Sequence, residues 1–138
     1  MAYWLLKTEP DDYSFADLQH DGETPWDGVR NAAAQLNVRA MAAGDRCVIY
    51  HTGGQRAAVG LATITRAPYP DLADTKGRAV LVDVRAASAL SQPVTLTTLR
   101  AVPAFAGSPL VRQSRLSVVP LDEAQWRALL ALGGSEEA

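Results

Sequence analysis

The stretch Arg46–Ala67, "RCVIYHTGGQRAAVGLATITRA", constrains this chain most. Two apolar runs rich in Val, Ile, Tyr and Thr flank a Gly-Gly turn, so the chain reverses and pairs with itself as an antiparallel hairpin. Gly60 interrupts the returning run and predicts a bulge or a close backbone approach. Other runs supply strands to extend the hairpin. "AYWLLK", Ala2–Lys7, reads as a first, buried strand. "RAVLVDVRA" puts Val80, Val82 and Val84 on one face. "SRLSVVP" alternates Leu116 and Val118 and is expected to stop at Pro120.

Helix signals fall between and after these strands. Ser14 can cap a short helix in "YSFADL", with Asp17 at N3 and Tyr13 stapled to Leu18. "RNAAAQLNVRAMAAGD" has no Pro or Gly until Gly44 and predicts about three helical turns. Thr95 caps a short turn in "TLTTLRA". Asp122 and Gln125 predict a capping box for the last helix, with Leu121 stapled to Trp126 and Gly133 at the end. "HDGETP", "PYPDLADTKG" and "PAFAGSPLV" read as loops, and "SEEA" as a frayed tail. The expectation is one α+β domain over residues 1–138, with about five short strands, a partly antiparallel sheet and a small barrel.

Charge is unevenly spread. The net charge is −2, but residues 1–27 carry −6 and residues 28–121 carry +7. Eleven of the thirteen cations are Arg, which suits bidentate phosphate contacts. On its own, the asymmetry is also what a solvated surface of mixed charges gives. Cys47 is the single cysteine and lies in an apolar run, so it reads as a small buried hydrophobe in a reducing, cytoplasmic protein. The start has no basic n-region, and no apolar run approaches the roughly 20 residues of a membrane helix. No membrane association is expected.

Catalytic signatures are absent. His20 and His51 are far apart, and no Ser-His-Asp spacing, phosphate loop or metal cluster is visible. The expectation is no metal and no cofactor. His51 opens a turn, where it either points into a pocket or simply ends a strand. Lys7, Thr8 and Glu9 have acid–base chemistry, but alternation along a strand puts Thr8 opposite the other two. Lys7 and Glu9 are expected to form an ion pair.

"PWDGVRN", Pro25–Asn31, is the mixed stretch. Neither helix nor strand periodicity places Trp26. It either plugs the end of a barrel or offers its face to a flat ligand. Asn31 has the donor and acceptor that suit a base edge.

Six ordered blocks together resemble the EVE domain family, which takes in the thymocyte nuclear proteins and many small bacterial proteins. They are "YWLLKTEPDDYSFADL", "WDGVRN", "LNVRAM" leading to "GDRCVIYHTG", "VGLATI" followed by "YPD", "LVDV" and "LVRQSRLSVVPL". The resemblance implies a PUA-like mixed β pseudo-barrel flanked by helices, similar in shape to the YTH readers of methylated adenine. It implies a pocket with an aromatic wall that binds a modified nucleobase in DNA or RNA. By residue it points to Trp26 as the pocket tryptophan, to Lys7 and Thr8, to Tyr50 and His51, and to Arg115, Leu116 and Ser117. The chain departs from the family pattern at Ala32, Gln35 and Leu36, where a tyrosine, an arginine and an asparagine are frequent, and at Ala79, where a tryptophan is.

The functional expectation is a non-enzymatic reader. A modified base stacks on a partly buried Trp26, and its edge is read by Asn31, Thr8 and backbone near His51 and Leu116. Arg30, Arg39, Arg112 and Arg115 are the candidate phosphate contacts. Trp4 and Trp126 are expected to be structural. Two alternatives stand beside this: an amidohydrolase like the ASCH domains, using Lys7, Thr8 and Glu9, and a module that binds a small molecule or a protein.

Overall fold

The computed structural model describes residues 1–135; most of the expected frayed tail lies outside the described residues. Six strands form one mixed sheet in the order β2-β5-β4-β3-β1-β6. They are β1 (Tyr3–Thr8), β2 (Glu23–Pro25), β3 (Arg46–His51), β4 (Ala57–Pro70), β5 (Val80–Thr95) and β6 (Val118–Leu121). The predicted hairpin is β3–β4, antiparallel and paired from Arg46↔Thr63 to His51↔Ala57. β1 joins it in parallel, pairing Tyr3 with Arg46 and Thr8 with His51.

Gly60 marks the expected bulge, and the close approach there comes from a side chain rather than from backbone. The β3–β4 ladder shifts register beside it. A Cβ there would also lie 2.4 Å from the Phe15 ring. Phe15 begins helix α1 (Phe15–Asp21), so this close approach seats the helix on the hairpin. Gly60→Ala is therefore expected to cost about 1–3 kcal/mol through overpacking. A denaturant midpoint equal to wild type would contradict this packing.

Several boundaries differ from those read in the sequence. β4 continues through "PYP", and β5 runs 16 residues, bent by repeated register shifts against β4. "HDGETP" holds the short edge strand β2, paired to β5 through Glu23↔Arg85 and Pro25↔Asp83; three residues are too few to show alternation. Pro120 lies inside β6 rather than ending it. It is tolerated there because β6 is an edge strand with a neighbour on one side only. The loop "PAFAGSPLV" contains a 3-10 turn at Pro103–Phe105 and helix α4 (Pro109–Arg112), with α3 (Leu96–Arg100) before them, capped by Thr95 as expected.

Helix α2 (Ala32–Arg39) is shorter than the three turns expected. Its side chains explain where it sits. The Gln35 amide bonds Val80 at the start of β5, accepting from its N–H at 3.0 Å. Asn37 Nδ2 donates to Val118 O of β6 at 2.8 Å. The helix thus bridges the strands on the two sides of the open seam. Polar side chains satisfy strand backbone groups that have no neighbouring strand there. This is the flanking helix of a pseudo-barrel whose seam is not closed by strand pairing.

Helix α5 (Glu123–Leu132) starts with the expected box: Gln125 N donates to Asp122 Oδ1 at 2.7 Å, and Asp122 N to Gln125 Oε1 at 2.9 Å. It buries Trp126, whose ring stacks on Tyr3 with centroids 4.8 Å apart. Trp4 is also structural. It is buried, and its indole N–H donates to Asp45 Oδ2 at 3.0 Å. Cys47 is buried, and desolvation raises its thiol pKa well above the usual range. It packs as a small hydrophobe.

Candidate nucleobase pocket

A cavity of about 510 Å³ opens where the end of β1, the edge strand β2, the loop 26–29 and Ser117 before β6 come together. Its size lies in the range of small-ligand sites. Residues on both sides of the seam line one hollow, so the pocket is the mouth of the pseudo-barrel.

The wall formed by "PWDGVRN" is fixed from three sides. Trp26 N donates to Val82 O of β5 at 2.8 Å. Gly28 turns the chain at φ 76°, a conformation that other residues adopt at a cost. Gln35 Nε2 then donates to Val29 O at 2.8 Å. The Trp26 ring is more buried than expected, 7 % exposed and part of the core, yet it lines the cavity. It is plug and wall at once, because its inner side packs on the core while the hollow lies beside it.

Tyr13 completes an aromatic corner. Its ring meets Trp26 edge-on, with centroids 6.2 Å apart and planes at 79°. The Tyr13 hydroxyl donates to Asp21 Oδ2 at 2.8 Å. Desolvation, and then this hydrogen bond, push its pKa up to about 12, so it remains a neutral donor at physiological pH. The backbone around Tyr13 is held by His51, whose Nε2 accepts from Phe15 N, and by Thr8, whose hydroxyl donates to Tyr13 O at 2.6 Å.

The polar lining is compact. Lys7 Nζ donates to Ser114 O at 3.1 Å and lies 5.8 Å over the Tyr50 ring. Desolvation lowers its pKa. Thr8 spends its proton on Tyr13 O, leaving oxygen lone pairs as acceptors. Asp12, Thr24, Asp27 and Ser117 also line the cavity. One hollow therefore offers two aromatic rings, carboxylate acceptors and an ammonium donor.

Of the residues expected at the site, Lys7, Thr8, Trp26 and Ser117 meet in this cavity. Asn31 does not line it: its Oδ1 accepts from Ala34 N at 3.0 Å as the N-cap of α2. His51 is buried, with both ring nitrogens engaged. Nε2 accepts from Phe15 N at 3.0 Å, which leaves the proton on Nδ1 to donate to Gln55 Oε1 at 2.8 Å. His51 supports the Tyr13 segment from behind, and Tyr50 is buried in the same strand. Arg115, Leu116 and Arg112 line a separate hollow of about 320 Å³ together with Asn31. Arg39 gives its guanidinium to Arg78 O, and Arg30 is exposed on the loop.

The expected Lys7–Glu9 ion pair does not form among the described residues. Glu9 instead accepts from Asp11 N at 3.3 Å and Thr52 Oγ1 at 3.4 Å. The chain turns after Thr8, which brings Lys7 and Thr8 to the cavity and takes Glu9 out of its lining. The four departures from the family pattern also fall outside that lining. Ala32 and Leu36 are exposed on α2, Ala79 precedes β5, and Gln35 ties the loop backbone. Tyr13, Asp12, Thr24 and Asp27 line the cavity but were not expected as site residues from the sequence. Tyr13 carried a signal, an aromatic directly before a helix cap, but the staple motif has the same form.

The curled mixed sheet with flanking helices and a pocket at its mouth is the architecture of a PUA-like domain. This chain belongs to the EVE domain family, whose sequence model matches residues 2–132. A protein from Rhodopseudomonas palustris is 40% identical, with a TM-score of 0.92 over 100% of this chain and 97% of that one. Human THYN1 protein, solved in complex with 5-methylcytosine containing DNA, is 26% identical, with a TM-score of 0.87 over 99% of this chain and 100% of that chain. Rat thymocyte nuclear protein 1 is 29% identical over 97% of this chain and 74% of its own length. The match to the human protein's full sequence, 35% identical, spans 51% of this chain and 36% of that protein.

Proposed function

We propose that this chain is a non-enzymatic reader of a modified nucleobase in DNA or RNA, with the base held in the Trp26 cavity. The observation that carries the reading is the aromatic corner of Trp26 and Tyr13 beside a small set of donors and acceptors. A flipped base stacks on one ring and meets the edge of the other, and stacking of this kind contributes roughly 1–3 kcal/mol. Thr8, Asp12, Asp27 and Lys7 read its edge, in place of the capped Asn31. The THYN1 complex with 5-methylcytosine containing DNA supports a base ligand for this fold. A cytoplasmic location is part of the same proposal and rests on the lone, buried Cys47.

The amidohydrolase reading needs Lys7, Thr8 and Glu9 at one centre, and Glu9 is turned toward Thr52. The test is calorimetric titration with modified and unmodified oligonucleotides, with the products analysed for hydrolysis. The reading predicts tighter binding of a modified strand, recovered intact. Equal affinities would contradict it, and turnover would favour the enzyme.

A further inference from the structure

The second hollow, beside the base pocket, has opposite electrostatics. Two carboxylates, Asp12 and Asp27, face the Trp26 cavity against one ammonium, Lys7. The neighbouring hollow of about 320 Å³ is lined by Arg112 and Arg115 with the neutral polar groups of Asn31, Gln113 and Ser114, and no acid. The two are directly linked. Lys7 of the first cavity donates to Ser114 O of the second at 3.1 Å, and consecutive residues Leu116 and Ser117 line one each.

Both arginines are exposed and available. Arg112 Nε donates to Ala106 O at 3.2 Å, which orients its guanidinium and leaves the terminal N–H groups uncommitted. No carboxylate ion-pairs with either arginine among the described residues. A phosphate is repelled by the paired carboxylates of the first cavity and matched by the forked donors of the second.

We infer that the Arg112–Arg115 hollow is a backbone subsite that holds a phosphodiester of the bound strand, so that the ligand is a polynucleotide and not a free base or nucleoside. The inference rests on the base reading only for the identity of the neighbouring group. It divides recognition in two: the acidic, aromatic cavity takes the neutral base, and the basic hollow takes the charge next to it.

The test uses trinucleotides with a central 5-methylcytosine or cytosine, each made with natural phosphodiester or neutral methylphosphonate linkages. Wild type is expected to bind the phosphodiester form about tenfold or more tightly, since hydrogen bonds to a charged partner are stronger than those to a neutral one. Arg112→Ala/Arg115→Ala should remove that charge preference, keep any preference for the methylated base, and lower the salt slope by roughly 0.7 per lost contact. Arg115→Ala alone, with no described side-chain partner to lose, should show the same direction with an unchanged melting temperature. Equal binding of the two linkages by wild type would overturn the subsite and leave base reading intact. An undiminished charge preference in the double variant would overturn it too. A charge preference that the variant abolishes, without any preference for methylation, would support the subsite and contradict the base reading. Failure of every probe to bind would overturn both.

Discussion

Trp126→Ala is expected to lower unfolding free energy by about 3–5 kcal/mol, the range for removing a large buried aromatic side chain. Three features make the site unforgiving. The indole is 1 % exposed. It stacks on Tyr3 of β1 at 4.8 Å and lies 5.7 Å from the Arg46 guanidinium of β3. It therefore holds helix α5 against two neighbouring strands at once, and a cavity left there has walls of rigid sheet that collapse poorly. A fall in melting temperature of roughly 10–20 °C is expected for a domain of this size. A melting temperature within a few degrees of wild type would show that α5 packs without this anchor.

Trp26→Ala is expected to act on binding as well as stability. The ring is part of the core, so the variant loses some stability and must be assayed where it remains folded. There, loss of the stacking face should weaken binding of the preferred modified strand by roughly tenfold to a hundredfold. The salt dependence should stay as in wild type, because no phosphate contact is removed. Trp26→Phe retains a smaller face and should recover part of the affinity. An unchanged affinity in Trp26→Ala would make the "PWDGVRN" loop a plug and nothing more.

The parts of this fold legible in the sequence were those set by local rules. The β3–β4 hairpin follows from a Gly-Gly turn between apolar runs, and the caps at Ser14, Thr95 and Asp122 follow from side chains that satisfy helix N–H groups. Gly60 signalled a close approach, though nothing nearby in sequence indicated that Phe15 would make it. What was not legible depends on partners distant in the chain. β2 is three residues long and exists because β5 lies beside it. Pro120 sits in a strand because that strand is an edge.

The site divides in the same way. Trp26 stood out because no periodicity placed it. Lys7 and Thr8 reach one cavity because the chain turns after β1, which strand alternation does not reveal. Asn31 suited a base edge by composition, but its local geometry as the cap of α2 takes its carbonyl oxygen first. His51 suited a pocket by position, but both its nitrogens are used in holding Phe15 and Gln55. In both cases a polar group that looked available is spent on positioning the aromatic corner or the helix beside it.

The central claim is that a base docks against Trp26, and the most direct test uses the three indole N–H resonances of Trp4, Trp26 and Trp126. Nitrogen-15 spectra recorded while titrating a 5-methylcytosine oligonucleotide should show the Trp26 signal, assigned through Trp26→Phe, shifting in a saturable manner. Trp4 is hydrogen-bonded to Asp45 and Trp126 is enclosed under α5, so both signals should stay in place. Saturable binding that leaves the Trp26 signal unmoved would contradict the account.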